Sequence, residues 1–148
     1  MTEHFDVLIV GAGLPGIGAA RHLQVNCPKK RFAIIESRAS LGGTWDLFRY
    51  PGVRSDSDMH TMGYSFQPWS GEKAMVDGAK ILNYLKETAH EYGIDQHIRY
   101  GHRVVRAQWS SENSEWTVEM ESGPSQARTS VTCGFLLMCT GYYDYAKG

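Results

Sequence analysis

Three glycines near the amino terminus, Gly11, Gly13 and Gly16, carry the G-x-G-x-x-G spacing of a loop that cradles a diphosphate. Each has its own task in such a cradle. Gly11 permits a tight turn, Gly13 lets the backbone approach a pyrophosphate with no Cβ in the way, and Gly16 lets the helix that follows pack close to the preceding strand. The unpaired N–H groups and the positive dipole end of that helix then face the anion. Glu36 stands about 20 residues past Gly16, the separation of a carboxylate that hydrogen-bonds an adenosine ribose at the tip of a second strand. Such a carboxylate also repels a 2′-phosphate, so this first site is expected to hold FAD or NAD and not NADP.

The spacing alone arises by chance in glycine-rich loops, and a glutamate at a strand end can be an ordinary surface charge, so the flanking elements decide. An apolar run, Phe5-Asp6-Val7-Leu8-Ile9-Val10, leads into the glycines; a helix-forming stretch, Ile17 to Val25, follows them. A second apolar run, Arg31-Phe32-Ala33-Ile34-Ile35, ends in Glu36. Strand, glycine turn, helix and strand make a βαβ unit with the acid where the ribose requires it.

Residues 37–76 carry Gly, Pro, Ser, Asp and aromatic side chains without sustained periodicity. A connection of this length inside a compact domain predicts a binding surface containing short turns of helix. Asp77 caps a predicted helix from Gly78 to Tyr92, with Ile81, Leu82 and Leu85 on one face and Gly93 as its stop. His90 on that helix is read as solvent-facing, and the histidines show no metal spacing. The period then turns strand-like over Ile98 to Trp109, Trp116 to Met120 and Thr129 to Thr132, with polar turns between, which predicts an antiparallel meander at about 98–132 inserted as a crossover. A last run, Phe135-Leu136-Leu137-Met138-Cys139, is apolar on both faces and returns to the parallel sheet. Thr140-Gly141 then falls at the carboxyl edge, where such sheets bind ligands.

Charge is nearly balanced, with Lys+Arg 15 against Asp+Glu 16, and no basic run marks a nucleic-acid surface. The cysteines, Cys27, Cys133 and Cys139, lack Cys-x-x-Cys spacing and are expected to be reduced, buried thiols. The start, Met1-Thr2-Glu3-His4, is acidic where a signal peptide is basic, and no apolar run is long enough to span a membrane. A cytoplasmic protein is the expectation.

Taken together, the Phe5 strand, the block Gly42-Gly43-Thr44-Trp45-Asp46-Leu47-Phe48-Arg49-Tyr50-Pro51-Gly52, the block Arg54-Ser55-Asp56-Ser57-Asp58-Met59 and the segment Cys139-Thr140-Gly141-Tyr142-Tyr143 resemble the flavin-containing monooxygenases of the Baeyer–Villiger type. The likeness covers essentially the whole chain, and the stretch from Gly42 to Met59 is its most specific part. It implies that Gly11, Gly13, Pro15 and Gly16 wrap the FAD pyrophosphate, Glu36 holds the ribose, Thr44, Trp45, Asp46 and Leu47 line the flavin, and the backbone of Val104 meets the adenine. It implies that Arg54, Ser55 and Asp56 lie where the nicotinamide of NADPH meets the flavin. Cys139-Thr140-Gly141 resembles the family's hinge into an NADP domain. The activity so implied is oxygenation of a ketone, or of a soft sulfur or nitrogen atom, with O₂ and NADPH, the hard chemistry residing in the cofactor.

Two departures accompany the resemblance. Pro15 stands where many relatives carry Ser and brings neither an N–H nor a hydroxyl, although proline suits a first helical turn. The relatives also continue past the point matching Gly148 through a second glycine-rich site, a histidine-containing fingerprint and a catalytic arginine. The expected organisation is therefore one α/β, Rossmann-like FAD-binding domain over 1–148, incomplete, with the NADP domain and carboxyl-terminal part absent. Such a piece is expected to be prone to self-association. A stand-alone or truncated dinucleotide-binding module without turnover is the competing reading. A dehydrogenase fits less well, given the long loop after Glu36 and the lack of a proton-relay set.

Overall fold

The computed structural model describes residues 2–143, so Met1 and residues 144–148 of the expected domain lie outside the described residues. Six strands form one mixed sheet in the order β3-β2-β1-β6-β5-β4. They are β1 (Glu3–Val10), β2 (Phe32–Ile35), β3 (Ile98–Arg99), β4 (His102–Ser110), β5 (Glu115–Ser122) and β6 (Ala127–Met138). The helices are α1 (Leu14–Asn26), the short α2 (Thr44–Leu47) and α3 (Met59–Met62), and α4 (Gly78–Glu91). This is the Rossmann-like α/β architecture expected, with β1 parallel to both β2 and β6.

Strands β1 and β2 are apolar almost throughout because both their faces are covered. Ile9 and Ile34 join the cluster built with Ile17, Ile81 and Leu85, on the side of α1 and α4. Their neighbours Leu8, Ala33 and Ile35 point to the opposite face, as alternation along a strand requires, and meet Val118, Met120, Val131 and Cys133 of the antiparallel strands. The sheet therefore curls so that side chains of β5 and β6 cover the second face of β1 and β2.

Strand boundaries differ from the sequence reading at two places. The run expected from Ile98 to Trp109 divides: Ile98 and Arg99 pair in parallel with Ile34 and Ile35, and the antiparallel ladder starts at His102 after a turn at Gly101, whose φ is +67°. The two runs expected at Thr129 to Thr132 and Phe135 to Cys139 are one continuous strand. No turn intervenes at Gly134, and β6 pairs with β5 up to Cys133 while pairing with β1 from Val131 to Met138. Past Cys133 it has lost β5, and Phe135 (59%) and Met138 (57%) stand exposed.

Helix α4 is capped as its sequence indicates, the Asp77 carboxylate accepting from the Lys80 N–H and Gly93 following at φ +63°. His90 is solvent-exposed beside Asp95. Cys133 is buried and Cys139 partly so, but Cys27 is exposed, a correction to the expectation of three buried thiols. It follows the last turn of α1, where the chain turns back at the surface through Pro28. Among the described residues no helix is long and apolar enough to cross a membrane.

Candidate functional site: a cleft at the carboxyl ends of the parallel strands

Where β1, β2 and β6 end, a cleft of about 310 Å³ opens, within the range of small-ligand sites. Its wall includes Gly11, Gly13, Pro15, Glu36, Thr44, Trp45, Leu47 and Val104. Five separate stretches of chain are thereby brought to one place: the glycine turn, the tip of β2, the loop that carries α2, the start of β4 and the end of β6 with the residues just after it.

The three glycines divide their work as their geometry dictates. A Cβ on Gly11 would stand 2.4 Å from the Cys139 carbonyl oxygen, and its φ of +109° is itself hostile to a side chain. A Cβ on Gly16 would stand 1.9 Å from the Gly11 carbonyl oxygen, so Gly16 is a packing glycine and does not face the cleft. Gly13 is different: its φ of −83° suits any residue, and a Cβ there would meet nothing closer than 3.7 Å. The protein itself makes no demand for glycine at this position. A Cβ would instead fill cleft space at the start of α1, where no side chain caps the helix and no acid stands in the first turn. An uncapped helix start facing open cleft space is of the kind that suits an anion.

Glu36 is only 6% exposed and sits at the junction of the site. Its Oε2 accepts from the Ala12 N–H at 2.9 Å, tying the tip of β2 to the glycine turn. Its Oε1 accepts from the Arg38 N–H at 2.9 Å. Ser37 Oγ also donates to Oε1, at 3.4 Å, so of a carboxylate's about four acceptor positions the one left is on Oε2, available to a ribose hydroxyl.

Asp46, expected to line the flavin, turns into the protein instead. Its carboxylate accepts from Ser40 Oγ at 2.7 Å, from Arg49 Nη2 at 2.8 Å and from Arg38 Nη2. Burial alone would raise its pKa, but Ser40, Arg38 and Arg49 outweigh burial and hold the carboxyl below the ordinary carboxylate range. Asp46 thus anchors α2 against the loop before it, while its neighbours Thr44, Trp45 and Leu47 reach the cleft wall.

Arg54, Ser55 and Asp56 lie outside this cleft. Arg54 lines a separate hollow with Gly52, Lys73 and Asp77, beside the start of α4, and forms a backbone bridge with Asp77. Ser55 is buried, its Oγ accepting from the Ser57 N–H, and Asp56 is exposed. Arg38, His102 and Arg103 are wall residues that sequence reasoning did not single out. Arg38 carried a usable signal, since it stands two residues past the strand-end acid. His102 and Arg103 carried none, because only the pairing of β4 brings them to the cleft. The adjoining Val104 enters at a register shift in β4, a bulge that re-aims the strand toward the site.

Burial pushes the Cys139 thiol pKa up, which disfavours its thiolate. Among the described residues no group of three side chains is placed to hold a metal ion.

Known proteins resemble this chain in sequence and in fold. The NAD(P)-binding Rossmann-like domain family matches residues 9–72. Over 148 residues the chain is 56% identical to FAD-containing monooxygenase EthA of Mycobacterium tuberculosis (strain ATCC 25618 / H37Rv), covering 100% of this chain and 30% of that protein. Its relatives are FAD-containing monooxygenases. The solved structures similar to this chain include OTEMO in an FAD-bound form, with a TM-score of 0.82 and 27% identity over 95% of this chain and 26% of that one. They also include an oxidised steroid monooxygenase bound to NADP, with a TM-score of 0.80 and 28% identity over 93% of this chain and 26% of that one. The chain thus spans about 30% of the length of the curated monooxygenases it matches.

Proposed function

We propose that this chain is the FAD-binding part of an NADPH- and O₂-dependent flavoprotein monooxygenase. The observation that carries the reading is Gly13, a glycine that neither backbone conformation nor packing requires, at the start of an uncapped helix in a cleft that Glu36 closes at the ribose end. The residues present fit FAD. Gly11 and Gly13, with the first turn of α1 that holds Pro15 and Gly16, would take the pyrophosphate; Glu36 would take the ribose hydroxyls, and Val104 would bound the adenine. Thr44, Trp45 and Leu47 would flank the ring system.

Bound FAD supplies redox and oxygen-transfer chemistry that no side chain here possesses. The chain's own part is to bind, to orient and to exclude water. Glu36 fixes the adenosine end, the α1 terminus offsets the diphosphate charge, and the wall formed by Trp45, Leu47 and Met138 keeps the remainder of the cleft apolar. Arg54, Ser55 and Asp56 are proposed to serve the NADPH side. The substrate class in this reading is a ketone or a soft sulfur or nitrogen atom, with O₂ as co-substrate.

The coverage of 30% of the relatives' length favours a second reading for the chain taken by itself, a dinucleotide-binding module without turnover. One experiment separates these readings from a dehydrogenase-like site. The purified chain is mixed with FAD, freed of excess and examined for visible flavin absorbance, then given NADPH with a ketone or a thioether. Retained flavin without coupled NADPH consumption supports the binding-part reading. Substrate-dependent turnover overturns the module reading, and a colourless chain that binds NADH overturns the FAD assignment. Exposed Phe135 and Met138 support self-association of the chain, which sedimentation checks.

A further inference from the structure

Two arginines, Arg38 and Arg103, line the cleft, and the structure offers neither to a ligand phosphate. Arg103 donates to Glu121 at 2.6 Å. Arg38 occupies the more informative position, two residues past Glu36 at the tip of β2, where its own N–H holds Glu36 Oε1. In dinucleotide-binding folds an arginine near this tip accommodates an adenosine 2′-phosphate, and guanidinium is suited to that contact. Here its Nη1 donates to the Gly43 carbonyl at 3.1 Å and its Nη2 to Asp46. The Arg38 side chain is 34% exposed and that of Asp46 is 5% exposed, so the guanidinium is held between the Gly43 carbonyl and a buried carboxylate, of which only the carboxylate carries charge.

We propose that Asp46 is a specificity-determining residue: it holds Arg38 back from the ribose end of the cleft and so withholds the cation that a 2′-phosphate would need. The inference rests on reading the cleft as an adenine-dinucleotide site. Discrimination then has two parts. Glu36 opposes the 2′-phosphate by its charge, and Asp46 removes the compensating charge. Ser40 and Arg49 strengthen the second part by keeping the Asp46 carboxylate ionised and fixed, at 2.7 and 2.8 Å.

ADP-ribose and 2′-phospho-ADP-ribose serve as probes, titrated calorimetrically into the chain, with circular dichroism to establish that each variant is folded. The chain itself is expected to prefer ADP-ribose. Asp46→Asn, which keeps the shape and removes the charge, is expected to narrow that preference by about tenfold through tighter binding of the 2′-phospho probe, the worth of one charge-assisted bond. Asp46→Asn combined with Arg38→Ala is expected to restore it. Equal weakening of both probes in Asp46→Asn, as loss of a merely structural anchor would give, overturns the proposal. So does a narrowed preference that persists in the double variant. Should Asp46→Asn not fold, Arg38→Ala alone decides. The proposal requires both probes to weaken by the same factor, and selective loss of the 2′-phospho probe would mean that Arg38 already serves that phosphate. Failure of the unaltered chain to bind either probe defeats the dinucleotide reading itself, an outcome distinct from all of these.

Discussion

Gly13 and Gly43 face each other where the glycine turn meets the loop before α2: a Cβ on Gly43 would stand 3.2 Å from the Gly13 Cα, and a Cβ on Gly13 would stand 3.7 Å from the Gly43 Cα. The relationship is unequal. Gly43 is required by its φ of +53° and by this close approach, whereas Gly13 has an ordinary conformation and room for a methyl group. The fold requires glycine at position 43 and makes no such demand at position 13.

Gly13→Ala should therefore leave stability within about 0.5 kcal/mol of the unaltered chain while weakening FAD binding at least tenfold. Gly16→Ala should do the reverse in order of severity, losing about 1–3 kcal/mol or more of stability through the clash with the Gly11 carbonyl. Thermal melts and flavin titrations on the two variants test the pair. Equal flavin affinity in Gly13→Ala would remove that residue from the pyrophosphate site.

Glu36 supports both the fold and the proposed ribose contact, so Glu36→Ala confounds the two by leaving the Ala12 and Arg38 N–H groups without their acceptor. Glu36→Gln retains one carbonyl acceptor and is the cleaner variant. Loss of about 1–3 kcal/mol of FAD binding is expected, the range for a hydrogen bond to a charged group. Flavin affinity that does not change would leave Glu36 as a structural link between β2 and the glycine turn.

Asp46 gives a pH signature. Its folded pKa is depressed, so the stabilisation it contributes is fully present above the unfolded carboxylate value of about 4 and is lost as pH falls through the lower folded value. Asp46→Asn should remove that portion of the acid limb. Melting temperatures of the unaltered chain and the variant should differ most near neutral pH and converge toward pH about 2–3. A constant gap across this range would mean that Asp46 does not titrate with folding.

Arg54 and Asp56 lie outside the cleft, so their substitution by alanine should leave flavin affinity of this chain unchanged. In a protein that also carries an NADP site, Asp56→Ala should slow flavin reduction by NADPH with FAD still bound. Stopped-flow reduction at the unaltered rate would reduce the Arg54–Asp56 segment to a surface loop.

The βαβ unit, the glycine turn and the acid at the tip of β2 were legible in the sequence because each is set by short-range chemistry: glycine spacing, apolar periodicity and the length of one strand–helix–strand passage. The Asp77 cap and the Gly93 stop of α4 belong to the same class. What tertiary structure alone decided depends on pairing between distant segments. The apolar runs before and after Gly134 read as two strands, yet β6 is continuous because β1 pairs with it on both sides of Gly134, from Val131 to Met138, while β5 stops at Cys133. Asp46 looks like a wall residue in a ligand-shaped loop, and only the approach of Arg38 and Arg49 gives its carboxylate a reason to turn inward. His102 and Arg103 reach the cleft because the antiparallel strands curl over the second face of β1 and β2, driven by burial of Val118, Met120 and Val131 against Leu8 and Ile35. Local patterns specify such segments one at a time, while the free energy that places them against one another exists only once both are present.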